Sequence, residues 1–439
     1  MKVSILERNI FSAAATDHRL RDRVLRWAQA PDHRNVAYLD SNRYPHRAYA
    51  RYEVLVGVGS VEALRIGTGD AFPAWRAWYD RIQDWSFGHL AYDLKNEVER
   101  LTSTHPDGIG LPDLHFFRPR HVVYLQNGTW TLETFDADPE RVWAQILATP
   151  LAASAAPSHA SPVELRHRMP KGAYLDKVAA IREHIAAGDV YELNLCQEFY
   201  QTKVTVDPAA LFRRLNTQAK VPFAAYYRLG DHYLCCASPE RFLQKDGNTL
   251  RSQPIKGTSR RGRTTAEDGQ LREALFESEK DRAENVMIVD LVRNDLARSC
   301  RAGSVRVEEL FGIYPFEGVH QMISTVAGEL RPDVHPVEAV RRAFPMGSMT
   351  GAPKVMAMQL IERYETARRG LYSGAVGYLD PRGDFDFNVV IRSLLYNART
   401  RYLSYQVGGA IVYDSVPEQE YEECLLKAAG LRRVLAGET

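Results

Sequence analysis

Apolar residues recur along this chain with two spacings. In residues 173–187, Tyr174, Val178, Ile181 and Ile185 fall three or four apart, which predicts a helix, and Gly188 stops it. The aromatics of residues 72–82 show the same spacing. Elsewhere the pattern is that of strands. Residues 36–42, 52–60 and 87–94 are rich in β-branched and aromatic side chains, as are the later segments VYELNLCQEF, AAYYRL, HYLCCAS, GAVGYLD, FNVVIRSLLY and RYLSYQVGGAIV. Helices alternate with these strands only in part, so an α+β chain built on extensive sheet is predicted. Residues 148–161, ATPLAASAAPSHAS, offer little to bury and read as a flexible link. With the link taken over residues 148–170, it separates an N-terminal region, 1–147, from a larger region, 171–439.

Composition narrows the class without naming a function. The 439 residues are 45% apolar and 25% charged, ordinary for a globular protein that needs no disulfide or metal staple. A net charge of +1 makes no case for nucleic acid or an acidic membrane surface. No run approaches the roughly 18 apolar residues of a membrane span, and the N-terminal apolar patch is too short for a signal sequence. Cys196, Cys235, Cys236, Cys300 and Cys424 are odd in number and form no CxxC pair, so reduced thiols in a cytoplasmic protein are expected.

Several segments carry chemical potential that is modest when each is taken alone. Ser278 and Asp281 form a capping-box pattern, with Glu284 one turn into the predicted helix. Ser415 and Glu418 repeat that pattern before a second helix. There Glu420, Glu423 and Lys427, at i, i+3 and i+7, share one face. Such an acidic start is ordinarily a solvated face, yet magnesium takes one or two carboxylates beside its waters. Lys256, between Pro-Ile and Gly-Thr, is ordinarily a surface residue, but a lysine in a confined pocket can lose its proton and become a nucleophile. The stretch PMGSMTGAPK lacks the Ser or Thr that follows a P-loop lysine, so nucleotide binding is rejected. Gly408 and Gly409 would let a ligand approach backbone N–H groups.

In sequence order, SPERFL, PIKGT, DRAENVMIVDLVRND, GSMTGAPK, IRSLL, GGAIV and EQEYEE resemble the chorismate-utilising enzymes. That family includes anthranilate synthase component I, aminodeoxychorismate synthase component I, isochorismate synthase and salicylate synthase. The resemblance is strongest from about Tyr174 onward. It implies two orthogonally packed antiparallel β-sheets surrounded by helices, one sandwich shared by both regions of the chain. It also implies Mg2+ bound by Glu284 and Glu423, with Glu420 close by. Arg392 would bind the enolpyruvyl carboxylate, Gly408 and Gly409 would offer backbone donors, and Lys427 would add positive charge. His320 and residues 347–351, Thr350 among them, would line the ring pocket. Glu240 matches the general acid that protonates the departing C4 hydroxyl, which requires a pKa raised by burial.

Lys256 separates the branches of the family. Anthranilate synthases usually read PIAGT, whereas the aminodeoxychorismate branch carries lysine. The implied reaction is attack of that lysine on C2 of chorismate with loss of water from C4, then attack of ammonia on C4 with expulsion of the lysine. The product, 4-amino-4-deoxychorismate, leads to 4-aminobenzoate and folate. The chain shows no Gly-x-Cys-x-Gly turn, so ammonia is expected from a separate glutamine amidotransferase subunit. Water-adding relatives carry a lysine base where this chain has Glu192, and many amino-transferring relatives carry glutamine there, so Glu192 departs from both. A tryptophan-binding motif is not evident near LDSN. Two other readings are anthranilate synthase component I and a catalytically silent chorismate-binding subunit. Lys256 speaks against the first, and the intact set Glu240, Lys256, Glu284, Arg392 and Glu423 against the second.

Overall fold

The strands of this chain are apolar on both faces because each face meets a different core. Along Asn35–Asp40, Val36 and Tyr38 join one buried cluster while Ala37 joins another, and along Val54–Val58, Leu55 parts in the same way from Val54 and Val56. In Leu114–Arg118, Phe116 enters a third cluster and Phe117 the second. Successive side chains of a strand point to opposite faces, so this partition defines layers. The second cluster lies between two sheets, uniting Leu55, Ala225 and Leu395 of one with Phe87, Phe117 and Val376 of the other. The first and third lie on the outer faces, where helices such as Lys171–Ala186 and Ala71–Ile82 contribute Tyr174 and Trp75. Burying each such side chain is worth about 1.5–3 kcal/mol.

The computed structural model describes residues 7–15, 17, 19–44, 49–151 and 163–437. Its sheets have twelve and ten strands, and all the recorded pairings are antiparallel. With its helices this is an α+β fold. Both regions of the sequence contribute to both sheets. Asn35–Asp40 pairs with Phe223–Leu229 in the larger, and Ser86–Leu90 with Ala375–Leu379 in the smaller. The Ala/Ser/Pro link falls largely outside the described residues, at 152–162. Beyond it, the Val163 N–H donates to the Leu435 carbonyl at 3.1 Å, and Arg166–His167 adds to the strand Glu192–Gln201. Among the described residues no helix is long and apolar enough to cross a membrane.

Several elements differ from the sequence reading. FGHLAYDL is a strand only to Leu90, and Tyr92–Leu94 turns into a 3-10 helix. FNVVIRSLLY is two strands, Phe385–Asn388 and Ser393–Asn397, which belong to different sheets. The hairpin His121–Gln126 and Thr129–Thr134 had its signal in Asn127-Gly128, whose φ values of 49° and 75° are those of a two-residue turn with both residues left-handed.

Candidate active site

Two segments cross between the sheets side by side. His232–Ser238 of the larger sheet runs through Glu240 into Arg241–Asp246 of the smaller. Phe385–Asn388 of the smaller returns through Arg392 to Ser393–Asn397 of the larger. The Val389 N–H donates to the Glu240 carbonyl at 3.0 Å, and the Ala237 N–H to the Arg392 carbonyl at 3.2 Å. These bonds make Glu240 and Arg392 neighbours. Arg392 adopts φ 51°, the left-handed corner that ends one strand and starts the next, and this is why the predicted continuous strand breaks there. Glu240 is 5% exposed, and burial pushes its carboxyl up to about 7. The Ser348 hydroxyl and the charges of Lys256 and Arg392 pull the other way without cancelling it. The elevation expected of a general acid is therefore present. Burial lowers the Arg392 guanidinium, and Glu240 opposes that shift.

Lys256 stands on a bulge. The pairing of Ile255–Arg260 with Val319–Glu329 slips between Ile255 and Thr258, which leaves Lys256 and Gly257 out of register and re-aims the side chain. Gly257 has φ +92°, and a Cβ there would lie 3.0 Å from Asp281 Cβ, so the PIKGT glycine is required by both backbone and space. Asp281 opens the helix Glu279–Ala297, whose N-cap is Ser278, accepting the Asp281 N–H as the capping-box pattern predicted. Asn285 of that helix donates to the Lys256 carbonyl at 3.5 Å. Lys256 Nζ donates to Glu192 Oε1 at 2.5 Å, with Glu192 fully buried. Burial by itself lowers the pKa of the amine, but Glu192, Glu284 and Glu240 together raise it above the ordinary value. The pocket thus favours the ammonium form of Lys256, so the proton loss that a confined pocket can cause is opposed here by the neighbouring carboxylates.

The acidic helix spans Pro417–Ala436 and begins one residue later than the second capping box required. Val416 is its N-cap, and Ser415 instead donates to Glu420 Oε1 at 2.7 Å. Gly409 faces this helix. A Cβ at that position would meet Glu420 Oε2 at 3.4 Å, Lys427 Nζ at 3.6 Å and Glu423 Oε1 at 3.7 Å. Lys427 pairs with Glu423 Oε1 at 2.6 Å and donates to the Gly408 carbonyl at 3.2 Å. Burial raises Glu420, and repulsion from Glu423 adds to it. Burial raises Glu284 too, reinforced by Glu192 and Asp281. Among the described residues no three His, Cys, Asp or Glu side chains converge as a metal-binding group. Glu420 and Glu423 meet over Gly409, while Glu284 and Glu423 each interact with the Lys256 charge. Glu420 and Glu423 are oxygen donors close enough to repel each other, the kind of pair that could take a magnesium ion retaining its waters.

The remaining predicted contacts are held differently. Thr350 is fully buried and its hydroxyl lies 3.2 Å from the Met346 and Gly347 carbonyls, while its own carbonyl accepts the Asn194 N–H at 2.8 Å. It shapes the glycine-rich loop from within. His320 is 2% exposed and its Nε2 lies 2.9 Å from Asp268 Oδ1, which turns the ring toward the helix Thr265–Glu277. Gly408 packs against the neighbouring strand, where a Cβ would lie 2.2 Å from the Leu195 carbonyl oxygen; the pleat gives Gly409 alone to the acidic face.

Arg369 and Glu365 escaped sequence reasoning. They form a buried pair at 2.7 Å. Arg369 also donates to the carbonyls of Met349 at 2.6 Å and Asn194 at 2.9 Å, and Glu365 accepts the Cys196 N–H at 2.8 Å. This brace fixes the glycine-rich loop to the Glu192 strand. Its i, i+4 spacing was visible, but exposed helical pairs share it.

The sequence of the chain matches the family model described as chorismate binding enzyme over residues 36–433. It is 41% identical over 367 residues to an aminodeoxychorismate synthase of Streptomyces griseus, covering 79% of this chain and 49% of that protein, so it spans about half of that relative. It is 36% identical to anthranilate synthase component 1 of Thermus thermophilus, covering 86% of this chain and 85% of that one. It is 33% identical to aminodeoxychorismate synthase component 1 of Bacillus subtilis, covering 84% and 82%. The crystal structure of anthranilate synthase component I from Streptococcus pneumoniae superimposes with a TM-score of 0.78 at 27% identity, covering 88% of this chain and 93% of that one.

Proposed function

Because the chain belongs to the chorismate-binding enzyme family, we propose that it aminates chorismate at C4 as an aminodeoxychorismate synthase component I, forming 4-amino-4-deoxychorismate for 4-aminobenzoate and folate synthesis. The observation that carries this reading is Lys256, set on a bulge among Glu192, Glu240 and Glu284. Its amine attacks C2 while Glu240 protonates the C4 hydroxyl, which leaves as water. Ammonia then attacks C4 and releases the lysine. Arg392 holds the enolpyruvyl carboxylate through its planar fork of donors, and the open face of Gly409 admits the ring carboxylate. Glu284 and Glu423, with Glu420 beside them, would hold a magnesium ion, whose positive charge would neutralise that carboxylate. Lys427 adds to this charge from the next helical turn. A glutamine amidotransferase subunit is the ammonia source in this reading. The five cysteines, all buried and free, suit a reducing cytoplasm.

Incubation with chorismate, Mg2+ and ammonium tests the proposal. The expected product is 4-amino-4-deoxychorismate, which added lyase converts to 4-aminobenzoate. Fluorescent anthranilate and pyruvate without lyase would replace this reading with the second, anthranilate synthase component I. That second reading is favoured by the Thermus and Streptococcus similarities and opposed by Lys256.

The ligand set has its own test. Glu423→Gln keeps the side chain's shape and removes its charge, so half-saturation should need on the order of 10–100-fold more Mg2+, with activity at fixed Mg2+ falling in step. A calorimetric Mg2+ titration identical to the unmodified protein's would take Glu423 out of the ligand set.

A further inference from the structure

Glu192 is the carboxylate in direct contact with the Lys256 amine, and the chemistry above leaves it without a task. It opens the strand Glu192–Gln201 and meets Lys256 across 64 residues of sequence. The glycine-rich loop fixes its backbone, since Gly351–Ala352 pairs with Glu192 and Leu193. A Cβ on Gly351 would lie 2.1 Å from the Glu192 carbonyl oxygen, so this contact tolerates no side chain. Glu192 Oε1 accepts from Lys256 Nζ at 2.5 Å, and Oε2 is buried with no partner among the described residues. The carboxylate is thus dedicated to one amine. The other acids facing Lys256 approach from elsewhere: Glu240 from the crossover, Glu284 from the helix Glu279–Ala297 and Glu423 from the helix Pro417–Ala436.

We propose that Glu192 takes the Nζ proton of Lys256 as the amine attacks and returns it when the lysine departs, an inference that rests on the amination reading above. In the forward step the proton passes from Nζ to a Glu192 oxygen, and the Nζ lone pair forms the bond to C2. The two ring double bonds shift, the C4–O bond breaks, and the oxygen leaves as water with the Glu240 proton. The adduct nitrogen is then a secondary ammonium. In the return step the ammonia lone pair forms the C4–N bond, the double bonds shift back, and the C2–N pair returns to Nζ. Lys256 recovers its proton from Glu192, and the new C4 ammonium gives one to Glu240.

A transfer inside the pair exchanges no proton with solvent. A lysine facing glutamine, the residue many aminating relatives carry at this position, must release its proton to water instead. The two arrangements therefore differ in how the first step depends on pH. The experiment measures adduct formation by rapid quench and intact-protein mass spectrometry, with chorismate and Mg2+ but no ammonium, between about pH 5 and 6, below the Glu240 transition. The unmodified protein should give a level rate. Glu192→Gln should slow on the order of tenfold for each pH unit lowered, because Lys256 must first lose a proton to water. Glu192→Asp keeps a carboxylate at a longer reach, so its profile should stay level while its rate falls about fivefold or more. A level Glu192→Gln profile, or a Glu192→Asp variant with unchanged rate or with the glutamine slope, would overturn the assignment. If Glu192→Gln does not fold, the aspartate variant alone decides. Absence of both adduct and amino product from the unmodified protein would instead sink the amination reading itself.

Discussion

Replacing Lys256 with alanine should lower amination on the order of 1,000-fold, about 4 kcal/mol of barrier at 1.36 kcal/mol per decade, while chorismate still binds. The lysine supplies the first of two displacements, and without it ammonia must displace the C4 hydroxyl unaided. Binding should survive because Arg392 and the acidic helix lie on other elements. The variant has a structural cost as well. Glu192 is fully buried and Lys256 is its ion-pair partner at 2.5 Å, so removing one member of the pair should cost about 3–5 kcal/mol of stability. Lys256→Ala combined with Glu192→Gln removes both charges and should recover most of that loss, yet remain inactive. Turnover, thermal unfolding and intact mass with chorismate alone separate the two effects. A Lys256→Ala protein that turns over at the original rate would remove the covalent role.

Glu240→Gln should lower the rate of adduct formation by roughly 100- to 10,000-fold, the range for loss of a positioned acid. Its pH signature is more specific. Burial raises Glu240 to about 7. The carboxyl is therefore protonated, and able to serve as the acid, below about pH 7. Above that value its protonated fraction falls tenfold per unit. Adduct formation in the unmodified protein should decline accordingly on the alkaline side, and the glutamine variant should lose that decline. The measurement omits ammonium, so the titration of ammonia itself does not intrude. A level rate well beyond pH 7 in the unmodified protein would assign proton donation to another group.

Local chemistry was legible in the residues. Helical spacing placed Tyr174, Val178 and Ile181 on the buried face of Lys171–Ala186, and Ser278 capped the helix that presents Glu284. The motif order was enough for the family. Such features depend on residues within a turn or a strand of one another, where period and capping operate. What the tertiary structure decided lies at long range. Arg392 reads as mid-strand until two sheets compete for the segment and a left-handed corner splits it. Ser415 looks like a cap but is drawn to Glu420. Glu192 was an unexplained departure in sequence and becomes the partner of Lys256 only when strands from different sheets close on each other. The protonation of Lys256 follows the same rule. Burial and three carboxylates oppose each other there, and the outcome depends on distances between groups far apart in the chain, which no local pattern encodes.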